Sequence, residues 1–252
     1  MMTLKENLMV EGSFRTIGFA GGKGKNYLLD KLSFDLARQG KRIVISHIEE
    51  KIFPATGHIV FKPNESDLLR KIESELKEHS IIYAGRALDD NFLEGIRQST
   101  VKKIMASDVV DHIMLIFGEE EVSLLTKTEI DNLLKIKYLH ELVYCLQLDH
   151  IDQKLDSEVV SDISEFLKRF PKYHKDKTYS HQLIVDYISD ENNGICKLFK
   201  QRFPTLLVFT DISNLLLENR AINIGRDLYQ RKFNLIFQAN LQDNIVKKVS
   251  TR

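Results

Sequence analysis

The chain has 252 residues, in which 36 Lys and Arg balance 36 Asp and Glu, with two Cys, no Trp, twelve Gly and four Pro. At 43% hydrophobic and 29% charged it carries enough apolar material for a buried core, which excludes a disordered or collagen-like chain. Zero formal net charge excludes a whole-molecule electrostatic grip on nucleic acid or anionic lipid, though not a local basic patch. In chain order, residues 14–20 read as a buried strand, followed by glycines and a helix over about 25–39. Leu29, Leu32 and Leu36 recur there at helical spacing, and Gly40 supplies the stop. Residues 42–47 form a second strand and 58–61 a short third one. Leu69, Ile72 and Leu76 mark the next helix, 80–84 is strand-like, and 111–117 carries the strongest buried-strand signal.

The rhythm then changes. From about 122 to 200 the spacing predicts mostly helix, with Leu133, Ile136, Leu139, Val143 and Leu146 on one stripe and Cys145 beside it. A further amphipathic stretch covers 159–170, and a polar loop follows at 171–178. Residues 205–209 return to strand, Leu217, Ala221, Ile224 and Leu228 place a helix, and 233–238 form the last strand. Strands alternating with helices predict an α/β fold: a mostly parallel sheet with helices on both faces. The expected organisation is a P-loop-like core over 1–121, a helical insertion or cap over 122–200, and a strand–helix–strand completion over 201–252.

Cys145 and Cys196 have no Cys-x-x-Cys partner, so neither a disulfide framework nor a structural zinc site is expected. The N-terminal residues 1–7 are charged and lack an apolar signal core. The longest apolar runs, 113–117 and 142–146, fall far below the roughly 20 residues of a membrane helix. A cytoplasmic location without membrane or nucleic-acid partners is the expectation.

Four of the twelve glycines, Gly18, Gly21, Gly22 and Gly24, lie within seven residues between the first strand and the first helix. Glycine torsions can turn several N–H groups towards one anion, and the following helix N-terminus adds partial positive charge. Gly21, Gly22, Lys23, Gly24, Lys25 and Asn26 are therefore the candidate nucleotide-binding residues, with Lys25 placed to reach a terminal phosphate. A Walker A loop has Gly, four residues, Gly-Lys and then Ser or Thr. Phe19 stands at the first glycine position, and Asn26 replaces the hydroxyl that normally holds Mg²⁺. The competing reading is a tight strand-to-helix turn that needs glycine for packing.

These residues resemble the YqeC family of selenium-dependent molybdenum hydroxylase accessory proteins. Gly21-Gly22-Lys23-Gly24-Lys25-Asn26 maps onto the family's Gly-Ala-Gly-Gly-Lys-Thr loop, and Lys51-Ile52 matches the Lys-Ile after its second strand. Residues 80–85 are similar to the family strand that ends in glycine, and 91–95 to its Lys-Leu-x-Gly segment, with Phe92 in the lysine's place. The family's threonine run is absent, and Ile116-Phe117-Gly118-Glu119 stands where members carry Glu-Ala-Asp-Gly. The resemblance implies a nucleotide- or phosphate-binding factor with a degenerate P-loop. The implied ligand is ATP or GTP, with Mg²⁺ weakened by Asn26, and the implied partner is a molybdenum hydroxylase or its maturation machinery. The alternatives are a non-catalytic partner-binding scaffold on the same fold, and a small-molecule kinase or NTPase.

Other residues carry two readings each. Glu119-Glu120-Glu121, after the best strand, could ligate a metal or act as a base, or simply cap the next helix. Glu49 and Glu50 stand similarly at the end of strand two. Asp211 could contact a base or ribose, or be a helix N-cap. Neither His140 with His150 nor His174 with His181 has zinc-helix spacing. Cys145 reads as a core residue, and Cys196, near Lys197 and Lys200, would have a lowered pKa if exposed. The basic loop 171–177 reads as solvated rather than as a nucleic-acid contact.

Overall fold

The computed structural model describes residues 15–48, 51–52, 57–89, 92–118, 122–200, 203–233, 236–242 and 245–249. The main sheet contains β1 (Arg15–Gly21), β2 (Ile43–His47), β4 (His58–Phe61), β5 (Ile81–Gly85), β8 (His112–Ile116), β9 (Glu141–Gln147), β10 (Thr205–Thr210), β11 (Ile236–Asn240) and β12 (Ile245–Lys248). Their order is β12-β11-β10-β9-β1-β8-β2-β5-β4. All neighbours pair parallel except β11 and β12. A small antiparallel sheet joins β3 (Lys51–Ile52), β7 (Phe92–Glu94) and β6 (Ala87–Asp89). The expected α/β fold with a mostly parallel sheet is therefore the observed one.

The helices are α1 (Lys25–Ala37), α2 (Glu65–Glu75), α3 (Gln98–Met105), α4 (Lys127–Leu134), α5 (Ile163–Arg169), α6 (His181–Ser189), α7 (Cys196–Phe199) and α8 (Leu215–Gln230), with a 3₁₀ turn at Pro171–Tyr173. Two apolar cores follow. On one face of the sheet, Leu28, Leu29, Leu32 and Leu36 of α1 pack with Ile17, Phe19, Ile45 and Met114. On the other, residues of α2 to α8 such as Ile72, Ile104, Leu133, Phe166, Ile184 and Ile224 pack with Val44, Leu115 and Phe209. Right-handed crossovers explain the division: the chain moves one way from β1 to β2 and the opposite way from β8 through β9 and β10 to β11. Gly40, at φ 78°, ends the first crossover helix as its position predicts.

Two expectations fail. The strand expected at 233–238 is not the last: β11 spans Ile236–Asn240, and β12 returns antiparallel beside it along the sheet edge. The stripe Leu139, Val143 and Leu146 predicts helix, but residues Glu141–Gln147 form β9, paired on one side with β1 and on the other with β10. Leu142, Tyr144 and Leu146 enter one core while Val143 and Cys145 enter the other. Every residue of the strand is buried, and between the terminal Glu141 and Gln147 both faces carry core side chains, so the period of two leaves no polar alternation to read. The 122–200 stretch is thus not a purely helical insertion: it supplies a central strand of the sheet.

Candidate phosphate site at the carboxyl edge of the sheet

Strands β1 and β9 are neighbours whose onward connections leave in opposite directions, the arrangement that opens a crevice at the carboxyl ends of a parallel sheet. The glycine-rich turn lies there. Gly22, Lys23 and Gly24 link β1 to α1, and Gly24, at φ 97°, occupies the cap position of the helix. Gly21, at φ 93°, lies so close to β9 that a Cβ would sit 2.1 Å from the Cys145 carbonyl oxygen. The Gly22 N–H donates to that same oxygen at 2.9 Å, and the Thr210 hydroxyl donates to the Lys23 carbonyl at 2.7 Å. Glycine is required here by the close approach of strands β9 and β10, as the packing reading expects.

The six predicted binding residues therefore separate into two groups. Gly21 and Gly22 are buried against β9 and its flanking loop, where a Cβ on Gly22 would meet the Ser123 hydroxyl at 2.6 Å. Lys25 is 1% exposed, and its ammonium does not reach into solvent. Its Nζ donates to the carbonyls of Phe117 at 3.1 Å and Gly118 at 2.8 Å, at the end of β8. Asn26 is half-buried in the first turn of α1. Lys23, by contrast, is exposed at the tip of the turn. No acceptor among the described residues takes a hydrogen bond from the main-chain N–H groups of Lys23 and Gly24. The part of the motif that can meet a soluble anion is Lys23 with those two N–H groups and the α1 N-terminus.

Asp211 adds a carboxylate to this edge. It follows β10 at φ 58°, and one of its oxygens is buried without a hydrogen-bond partner among the described residues. Burial, and then the negative charge of Asp149, push its pKa above the usual carboxylate range, while Lys23 and His150 pull the other way. It is not the helix cap that its position suggested: Asn214 caps α8, its side chain accepting from the Leu217 N–H at 3.0 Å. Asp149 lies just past β9, where its carboxylate accepts from the Gln147 side chain at 2.9 Å. Neither Asp149 nor His150 is singled out as a member of this edge by local spacing, because both follow a strand that reads as helix.

The remaining candidates fall elsewhere. Glu49, Glu50 and Glu119-Glu120-Glu121 lie outside the described residues. The buried Cys145 thiol, beside Gly21 on β9, is pushed up to about 12 by desolvation. Cys196 is buried too, and desolvation raises its pKa, opposite to the shift expected for an exposed thiol near lysines. In the basic loop, Lys172 pairs with Asp186, and the Tyr173 hydroxyl donates to the same carboxylate at 2.5 Å. His140 accepts the Thr16 N–H at 3.0 Å and His181 pairs with Asp227 at 2.8 Å. Two groups of possible cation ligands occur among the described residues: His150 with Asp156 and Glu158, and His58 with Glu75 and His79. No described helix is long and apolar enough to cross a membrane.

The edge thus offers one exposed ammonium, two main-chain donors and a helix N-terminus beside the half-buried Asp211 carboxylate, a set that can hold an anion and take a hydrogen bond from a neutral part of the same ligand. No protein-family model and no curated protein sequence matches the chain.

Proposed function

We propose that this chain binds a small phosphate-bearing ligand of the nucleotide class in the crevice between β1 and β9, and that binding, not hydrolysis, is its task. The observation that carries this reading is the convergence of Lys23, the two available N–H groups of the turn and the unpartnered Asp211 oxygen at one switch point of the sheet. Hydrolysis is disfavoured by the chemistry of the loop. Lys25 is committed to the Phe117 and Gly118 carbonyls, and Asn26 stands where a hydroxyl would orient Mg²⁺. A role as an accessory factor for a selenium-dependent molybdenum hydroxylase rests on the YqeC resemblance alone.

The test is thermal stabilisation by ATP, GTP, their diphosphates and inorganic phosphate, each with and without Mg²⁺. A ligand at a hundredfold excess over its Kd adds about 2.7 kcal/mol of stability, or roughly 5–10 °C for a chain of this size. Lys23→Gln should abolish the shift while leaving the unliganded midpoint unchanged, because the Lys23 side chain is exposed. Absence of any shift in the wild-type protein, or an equal shift in the variant, overturns the proposal.

A further inference from the structure

We infer that His58, Glu75 and His79 form a zinc-binding site at the opposite, amino-terminal end of the sheet from the phosphate crevice. Their ligating atoms lie within 4.8 Å of one another. Three separate features of the fold bring them together. His58 opens β4, whose parallel register sets it opposite Ile82 of β5. Glu75 is the last residue of α2, a helix held in place by the Asn64 cap and by Leu68 and Ile72 in the core. The chain continues one further turn, with the His79 N–H donating to the Glu75 carbonyl at 2.9 Å, so His79 projects from the same side just before β5.

The three side chains meet at one carboxylate oxygen. His58 Nε2 lies 2.6 Å and His79 Nε2 3.8 Å from the same Glu75 oxygen, Oε2. The two imidazoles stack 3.9 Å apart at 12°. The ring planes are therefore nearly parallel in the metal-free site, and a turn of one imidazole about its side-chain bonds brings both Nε2 lone pairs onto one ion beside Oε2. Lys71 holds the other carboxylate oxygen, Oε1, and so fixes the orientation of the Glu75 side chain. Two imidazoles and one carboxylate suit Zn²⁺, and three protein ligands leave a fourth coordination position open. His58 and His79 also line a cavity of about 380 Å³ whose walls include Phe34, Ile45 and the hydrogen-bonded pair Tyr83–Asp30. The open position is left to water or to a small ligand in that cavity. Nothing in this site is shared with Lys23 or Asp211, so its failure and that of the phosphate reading are separable.

The experiment uses the full chain, stripped of metal by chelation and titrated with Zn²⁺ by calorimetry and with Co²⁺ by visible absorption. The wild type should take up one ion, with the d–d bands of a low-coordinate Co²⁺ complex that Zn²⁺ abolishes. Changing outer-shell partners alone costs about 10–100-fold in affinity, so loss of a ligand should cost at least ~100-fold. That loss is expected for Glu75→Gln and for the double change His58→Asn with His79→Asn. All three side chains are partly exposed, so the metal-free variants should keep the wild-type circular dichroism spectrum. His150→Asn, at the other candidate group, should leave uptake unchanged. No uptake by the wild type, uptake by Glu75→Gln equal to it, or uptake lost in His150→Asn instead each overturns the assignment.

Discussion

Replacing Lys25 by Met separates a structural lysine from one poised for a ligand. Methionine keeps the length of the side chain and removes the ammonium. Two hydrogen bonds from a charged donor disappear, each contributing about 1.5–3 kcal/mol, and the Phe117 and Gly118 carbonyls lose this donor. Lys25 is only 1% exposed, and these values are already net of the cost of taking the donor out of water. Water can reach Gly118, which is partly exposed, and replaces part of one bond. The remainder is a net destabilisation of about 2–4 kcal/mol, because two neutral carbonyls lose a charged donor and water replaces only part of one bond. At about 2–4 °C per kcal/mol, the unfolding midpoint should fall by roughly 5–15 °C. Urea unfolding at neutral pH measures the free energy directly. A second readout is local: the Lys25 charge is the lesser of two causes that depress His47, after burial, so the His47 pKa should rise in the variant when followed by NMR. A variant as stable as the wild type, or more stable, would refute this reasoning. It would mean that the buried ammonium adds nothing to stability.

Two further outcomes follow from the same edge. His47, buried at the end of β2, is depressed to about 3, below the unfolded value near 6.5, so the native state binds fewer protons in that interval. Its contribution is complete above pH 6.5 and is lost as the pH falls towards 3, by at most about 1.4 kcal/mol per pH unit. His47→Asn should flatten this part of the urea-midpoint profile between pH 7 and 5, and parallel profiles would rule out a neutral buried imidazole. Gly21→Ala places a methyl 2.1 Å from the Cys145 carbonyl at a left-handed torsion. Torsional strain of about 1–2 kcal/mol and a forced strand shift of about 1–3 kcal/mol should together cost roughly 2–5 kcal/mol in urea unfolding, and a loss below 1 kcal/mol would show that β1 and β9 are not packed as described.

Much of the scaffold is legible because its cause is local. Residues 58–61 form a strand with the bounds their apolar pattern predicts, and α1 ends at the glycine that can adopt the required torsion. The turn between β1 and α1 is equally visible, since four glycines in seven residues mark a backbone that bends sharply or packs closely. Strand β9 escaped because a strand buried on both faces has no polar partner set to mark its period, and its leucines coincide with helical spacing over two turns. Because β9 reads as helix, local spacing does not place Asp149 and His150 beside Asp211. The zinc ligands escaped for a related reason: Glu75 and His79 are one helical turn apart, but His58 joins them only through the β4–β5 register.

The sequence by itself determined the α/β class, the parallel sheet and the position of the glycine turn, because torsional freedom and hydrophobic periodicity act over a few neighbouring residues. Only the tertiary structure decided what the motif's two lysines do. Lys23 and Lys25 are two residues apart and chemically identical, yet one stays in water and the other spans 93 positions of sequence to bind the Gly118 carbonyl. Helix geometry at Lys25 turns its side chain towards β8, and the cost of burying a charge makes those carbonyls its necessary partners.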